Sequence, residues 1–208
     1  VGWFMVKSGL IDRPYVSHYR LALHLSMAMI IFAYCVWLAM KVKHNFPERS
    51  PANKKILLLS NIFLAILSIQ ILYGAFVAGL KAGYIYNTWP KMGQHWIAPA
   101  VNAMEPWLIN FAEGLAGVQF IHRWVAILIL VYAVFLLIKV RSLSFSGLYR
   151  TAGWLLFSVI LQVALGIFTL LYKVPATLGV IHQAVAFLIL LSTLVLIFRM
   201  RYSSLYKL

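Results

Sequence analysis

The 208 residues carry 63% hydrophobic and 11% charged side chains, at a mean hydropathy of +0.90. That balance excludes a soluble globular domain and points to an integral membrane protein. The net charge of +14, from 18 Lys and Arg against 4 Asp and Glu, sits in short segments beside apolar runs, so membrane topology explains it and no nucleic acid is expected as a partner.

Residues 1–10 read as the tail of a truncated helix, because the chain opens at Val1 with an apolar stretch already under way, and Asp12-Arg13-Pro14 breaks any continuation. Two apolar runs of membrane-spanning length follow at about 16–41 and 56–80, on either side of a basic loop. Cys35 lies in the first with no ligand spacing around it and is given no role. The connection from Lys81 to Gly117 is long and rich in Tyr, Trp and Pro, which suits an interfacial cap with Trp89 and Trp96 as anchors. Its acids, Glu105 and Glu113, are expected to cap short helices. Three further spans are expected at about 118–140, 151–172 and 176–199.

Eleven Lys and Arg fall on the side of the short basic loops and the C-terminal tail, and seven on the other. The positive-inside rule therefore places the tail and the basic loops in the cytoplasm or matrix. His24, His122 and His182 then all lie within roughly two turns of the outer ends of their helices.

An internal repeat joins the halves of the later sequence. Gln70-x3-Gly74-x-Phe76 matches Gln162-x3-Gly166-x-Phe168, and Gly2-x-Phe4 repeats the end of the pattern. Each glycine precedes a histidine in the next span, which suggests a duplicated four-helix unit. On this reading residues 1–55 are the remnant of an N-terminal half, one helix end plus one span, with His24 left without its partner. Residues 56–208 are a complete C-terminal half. The fold expected is all-α and polytopic, with five transmembrane helices, four of them forming a haem-binding bundle.

An ionisable group inside a span is functional by default, and imidazole is a common haem ligand. His122 and His182, at equal depth on two helices, suit the two faces of a haem iron; interfacial histidines bonded to loop carbonyls are the alternative. Arg123 and Arg20, beside His122 and four residues before His24, suit haem propionates, with snorkelling to headgroups as the alternative. His18 and His44 are expected to be solvated and His95 not to be a ligand. A b561-like electron carrier would place bis-His haems in both leaflets, whereas no span has a histidine near its inner end. A transporter would more often show broken helices or charges at the midplane.

Six strings in order add a resemblance. They are Met5-Val6-Lys7-Ser8-Gly9-Leu10, residues 16–25 (Val16 to Leu25), residues 74–83 (Gly74 to Gly83), Tyr86-Asn87-Thr88-Trp89-Pro90-Lys91-Met92, Phe120-Ile121-His122-Arg123-Trp124 and Gly179-Val180-Ile181-His182-Gln183. Over nearly all its length the chain resembles the haem A synthases of the mitochondrial and alphaproteobacterial type. The resemblance implies an enzyme of two four-helix halves in the bacterial cytoplasmic or mitochondrial inner membrane, which oxidises the C8 methyl of haem O to the formyl of haem A for cytochrome oxidase. His122 and His182 would hold a haem B, His24 would be one ligand of the substrate half, and iron would be the metal at all three. Partners implied are haem O and haem A, the lipid bilayer and an electron donor, with homo-oligomerisation open. In the family the substrate half carries a Glu three residues before its other haem-binding His; here the position before His122 is Gln119, which is no base at neutral pH. The catalytic carboxylate is therefore not found in these residues, and the chain alone is expected to be inactive.

Overall fold

The computed structural model describes residues 2–3, 16–51, 53–143 and 146–203. The expected helix end beyond Trp3 and the break at Asp12-Arg13-Pro14 lie outside the described residues, and Gly2 and Trp3 are helical. Five helices are long and apolar enough to cross a membrane: α1 His18–Lys43, α2 Lys54–Gly79, α3 Leu115–Arg141, α4 Ser146–Leu171 and α5 Ala176–Arg201. The expected all-α, polytopic architecture is borne out, and among the described residues there are only two isolated bridges and no strand.

At about 1.5 Å rise per residue, helices of 26 or 27 residues are about 39–41 Å long. That exceeds a hydrocarbon core of roughly 30 Å, so their charged ends reach the headgroups. Local chemistry sets those ends. Asn53 caps α2 by accepting from the amides of Lys55 at 2.9 Å and Ile56 at 3.1 Å. Pro175, unable to continue a preceding helix, caps the start of α5 after a four-residue turn. Lys41 and Lys43 close α1, and Arg199 and Arg201 close α5, where cations meet the negative end of the helix dipole.

α2 packs on α3, α3 on α4, α4 on α5, and α5 back on α2, while α1 lies against α2 and α5. The principal core runs down this ring through Phe63, Leu67, Ile129, Leu136, Leu155, Val159, Ile189 and Leu196. Its side chains are fully apolar, because a polar group without a partner in this setting costs several kcal/mol, order of magnitude. Ser60, Thr151, Ser158 and Thr193 obey the same rule by donating to carbonyls one turn back in their own helices.

The connection 80–114 folds over the ends of these helices, with short 3-10 helices at Ala82–Tyr84, Pro99–Asn102 and Trp107–Phe111. Met92, Ala98 and Val101 pack with Ala116 into a small core of their own. Asn110, 0% exposed, organises its second half. Its amide nitrogen donates to the carbonyls of Met104 and Trp107, each at 2.8 Å, and its oxygen accepts from the Met104 amide at 3.0 Å. Gly117 is needed beneath it, since a Cβ there would collide with the Asn110 carbonyl.

Two expectations for this end are corrected. No side chain caps the 3-10 helices or α3, so neither Glu105 nor Glu113 has that role. Glu113 instead accepts a hydrogen bond from the Tyr19 hydroxyl at 2.5 Å and lies 3.7 Å from Nε2 of His18. His18 is not solvated but 8% exposed, because Gly79 lets α1 and α2 approach closely and the rings of Tyr19 and Phe76 cover it. His44 is likewise half-buried, 5.8 Å from the Phe198 ring. His95 is exposed, as expected of a non-ligand.

Candidate functional site

His122 is the eighth residue of α3 and His182 the seventh of α5, so both imidazoles enter about 10 Å below their helix starts at ~1.5 Å per residue. Both helices begin at the end covered by the 80–114 connection, and His24, the seventh residue of α1, enters from the same end. The expected equal depth along the helices is therefore present.

Each ring lies against a glycine on the neighbouring helix. A Cβ on Gly74 of α2 would stand 3.3 Å from Cε1 of His122, and one on Gly166 of α4 would stand 3.0 Å from Cε1 of His182. Both glycines lie five residues before the end of their helix, Gly79 and Leu171. Only hydrogen in place of Cβ lets the imidazole edge rest on the helix backbone without displacement. Gly2 repeats the arrangement with His24, at 3.4 Å, although His24 itself is exposed. The sequence repeat is thus a repeat of ring-on-glycine packing.

One turn before each glycine stands a glutamine. The amide nitrogen of Gln70 lies 3.5 Å from Nε2 of His122 and donates to the His122 carbonyl at 3.1 Å; that of Gln162 lies 3.3 Å from Nε2 of His182. An amide N–H only donates, so Nε2 of each ring presents a lone pair and Nδ1 carries the proton. Nδ1 of both rings is buried and has no hydrogen-bond partner, as are the oxygens of Gln70 and Gln162. The expected alternative, imidazoles bonded to loop carbonyls, is not what the structure shows. Sequence reasoning passed over the two glutamines as partners, although their invariant place in the Gln-x3-Gly-x-Phe repeat was the available signal.

Loop carbonyls are held by the residues on either side. Gln119, 2% exposed, donates to the Tyr86 carbonyl at 3.3 Å. One turn on, Arg123 donates to the carbonyls of Tyr86 at 2.7 Å, Thr88 at 3.0 Å and Lys91 at 3.3 Å. At about 100° per residue, Gln119 and Arg123 lie roughly 60° and 100° round α3 from His122, on its flank. Arg123 therefore clamps the loop, and its Nε is buried without a partner. Arg20 is exposed, one turn before His24. Asn87 ties the same loop to the far helix pair by donating to the Leu170 carbonyl at 2.9 Å.

A family model described as COX15-CtaA, cytochrome oxidase assembly protein, matches residues 1–194. The chain belongs to this family. Among curated proteins it is 46% identical over 196 residues to a haem A synthase of Flavobacterium psychrophilum, covering 93% of this chain and 57% of that one. It is 47% identical to the haem A synthase of Flavobacterium johnsoniae, covering 91% and 56%, and 41% identical to that of Nitrosospira multiformis, covering 93% and 55%. The chain thus spans a little over half the length of these COX15-CtaA relatives. No solved structure matches it.

The residues fit the prosthetic group that such a family implies. Among the described residues no three His, Cys, Asp or Glu gather into a protein-only metal site, so the pair has two nitrogen ligands to offer and a macrocycle would have to supply the rest. Each Nε2 lone pair meets only an amide, a contact of about 1 kcal/mol that an iron would readily replace.

Proposed function

We propose that this chain is the portion of a haem A synthase that would hold a haem B, with His122 and His182 as the two residues that would bind its iron. The observation that carries the reading is the duplicated cradle: each imidazole rests on a glycine, with a lone pair on Nε2 that meets only an amide. The ring α2–α5 would then be the expected four-helix haem-binding bundle, residues 56–208, and 1–55 would belong to the other half, with His24 on Gly2 as a ligand there. The unpartnered Nε of Arg123 is the donor offered to a propionate, and Arg20 stands in the matching place beside His24.

The reaction proposed for the whole protein is oxidation of the C8 methyl of haem O to the formyl of haem A, in support of cytochrome oxidase assembly; this four-electron oxidation would take dioxygen as oxidant and oxygen source, with a separate electron donor reducing the second oxygen atom of each dioxygen to water. Bound haem B supplies an iron centre able to take and give single electrons. This chain's own residues do the rest by position. Gly74 and Gly166 set the ring planes, the buried Met92, Ala98 and Val101 keep water from the covered end, and Gln119 holds the loop. Gln119 offers no carboxylate for proton transfer, so the bis-His site is an accessory centre and the 208 residues by themselves hold haem without converting it. The basic helix ends face the cytoplasm or matrix.

A b561-like carrier is disfavoured, because the three candidate ligands gather toward one end of the helices. The deciding experiment is a reduced-minus-oxidised spectrum of the purified protein. A low-spin bis-His signal that is abolished by His122→Ala and by His182→Ala, and kept in His95→Ala, is the expected result; a signal that survives either of the first two would overturn the ligand assignment. Haem A recovered from cells expressing only these 208 residues would refute the accessory role.

A further inference from the structure

At the opposite end from the histidines, a groove of about 470 Å³ opens between α4 and α5. Its polar mouth is formed by Arg150, Thr151 and Arg199, within the first two turns of α4 and the last turn of α5. One to two turns deeper, its walls are Trp154, Val195 and Leu191. We propose that this groove binds the phosphodiester headgroup of an anionic phospholipid, with an acyl chain along its apolar wall.

The arginines are arranged for this. Nη1 of Arg199 donates to the Gly147 carbonyl at 2.9 Å and the Thr151 hydroxyl at 2.6 Å, so its guanidinium is fixed across the helix pair before any ligand arrives. Arg150 is exposed and has no partner among the described residues. Two forked cations at one mouth suit a phosphate, whose oxygens accept several N–H bonds at once.

Positive charge is in large excess at this end of the 208 residues. Eleven Lys and Arg lie in the segments at this end, against the single acid Glu48. A second copy would bring the same excess of positive charge to this end, so the mouth suits an anionic ligand. The lower groove selects its source: Trp154 on its wall is 66% exposed, a lipid-facing surface that free phosphate would leave unused but an acyl chain would cover. Basic pockets between helix ends are where anionic headgroups gather, and each Lys or Arg near the surface contributes about five-fold in affinity. The inference is independent of the haem reading.

The intact protein is placed in nanodiscs of phosphatidylcholine with or without one-fifth phosphatidylglycerol, the added lipid carrying brominated chains that quench nearby tryptophan. Extra quenching by the brominated phosphatidylglycerol over brominated phosphatidylcholine, lost in Trp154→Phe, is the expected signal. Arg150→Ala should weaken that preference about five-fold, with Arg199→Ala as the second variant. Lys139→Ala, which removes the same charge at the same end outside the groove, should leave it intact. An equal fall in Lys139→Ala would reduce the effect to diffuse surface charge and overturn the site, as would an unchanged preference in Arg150→Ala. Displacement of the brominated lipid by millimolar inorganic phosphate would assign the mouth to a free anion and overturn the lipid assignment. The haem spectrum serves as the control, since Arg150→Ala leaves it unchanged whichever way the lipid result falls.

Discussion

In the α2–α3 pair, glutamine, glycine and histidine are separated by a 35-residue connection (80–114); in the α4–α5 pair the same trio is joined through four residues (172–175). The rings nevertheless rest on their glycines at nearly the same distance, 3.3 and 3.0 Å, with an amide 3.5 and 3.3 Å from Nε2. Histidine placement therefore comes from side-chain contacts within each helix pair and not from the connection. One turn outward the two pairs differ. Gln119 and Arg123 on α3 grip the long loop, whereas their repeat counterparts on α5 are Gly179, with no side chain, and Gln183, which is exposed. The two pairs share their ring-on-glycine interior, and the α2–α3 pair alone carries a roof, which Asn87 fastens to the end of α4.

The largest expected effect comes from removing that roof's clamp. Arg123→Ala leaves the carbonyls of Tyr86, Thr88 and Lys91 without their shared donor. Hydrogen bonds to a charged group contribute about 1.5–3 kcal/mol each, so the loop should lose on the order of 3 kcal/mol of local stability. Limited proteolysis is expected to cut between residues 81 and 117 far faster than in the parent. Gln183→Ala, at the matching position of the other pair, should change the rate by little, since exposed substitutions stay within about 0.5 kcal/mol. Equal protection in the two variants would mean that the loop is held elsewhere.

The long-range parts of this comparison are the parts that composition and periodicity could not carry. The five spans were legible because each is an apolar run with charges only at its ends, and their observed bounds shift by only a few residues. The depth of His122 and His182 followed from the same runs. The glycine and glutamine roles lay half-visible in the repeat, whose spacing is sequence but whose meaning is a contact between helices. Burial of His18 was illegible, since its cover comes from Phe76 and the close crossing at Gly79, some 60 residues away. Arg123 was read toward a propionate, yet its Nη atoms hold carbonyls 32 to 37 residues earlier in the chain. Asn110 drew no attention at all, because a loop's internal hydrogen bonds leave no periodic trace.

Next in size is a difference between the two cradles. A methyl added at Gly166 meets His182 at 3.0 Å, and one at Gly74 meets His122 at 3.3 Å. Overpacking of this kind costs about 1–3 kcal/mol, which corresponds to roughly ten-fold in ligand retention for each 1.4 kcal/mol. Gly166→Ala should therefore release haem at least about five-fold more readily than the parent, and Gly74→Ala less so. Haem per polypeptide after gel filtration measures both. A reversed order would show that α2 is the stiffer wall and that the would-be contact distance does not set the penalty.

The smallest effect tests what the glutamines do. Gln162 touches His182 only at Nε2, the atom assigned to iron, whereas Gln70 also holds the His122 backbone carbonyl. Gln162→Leu removes a donor from the haem-free form, which then leaves Nε2 buried without a partner; the haem-bound form, with iron on that atom, loses nothing there. The haem-free protein should be destabilised by about 1 kcal/mol, and haem affinity should stay level or rise by up to about five-fold, the ratio that 1 kcal/mol represents. Gln70→Leu should gain less or lose affinity, because the bond to the carbonyl of His122 goes with it. Haem titration of the two variants reads this directly: a fall of ten-fold or more in Gln162→Leu would make that glutamine a supporting partner of the ligand and not a placeholder for it.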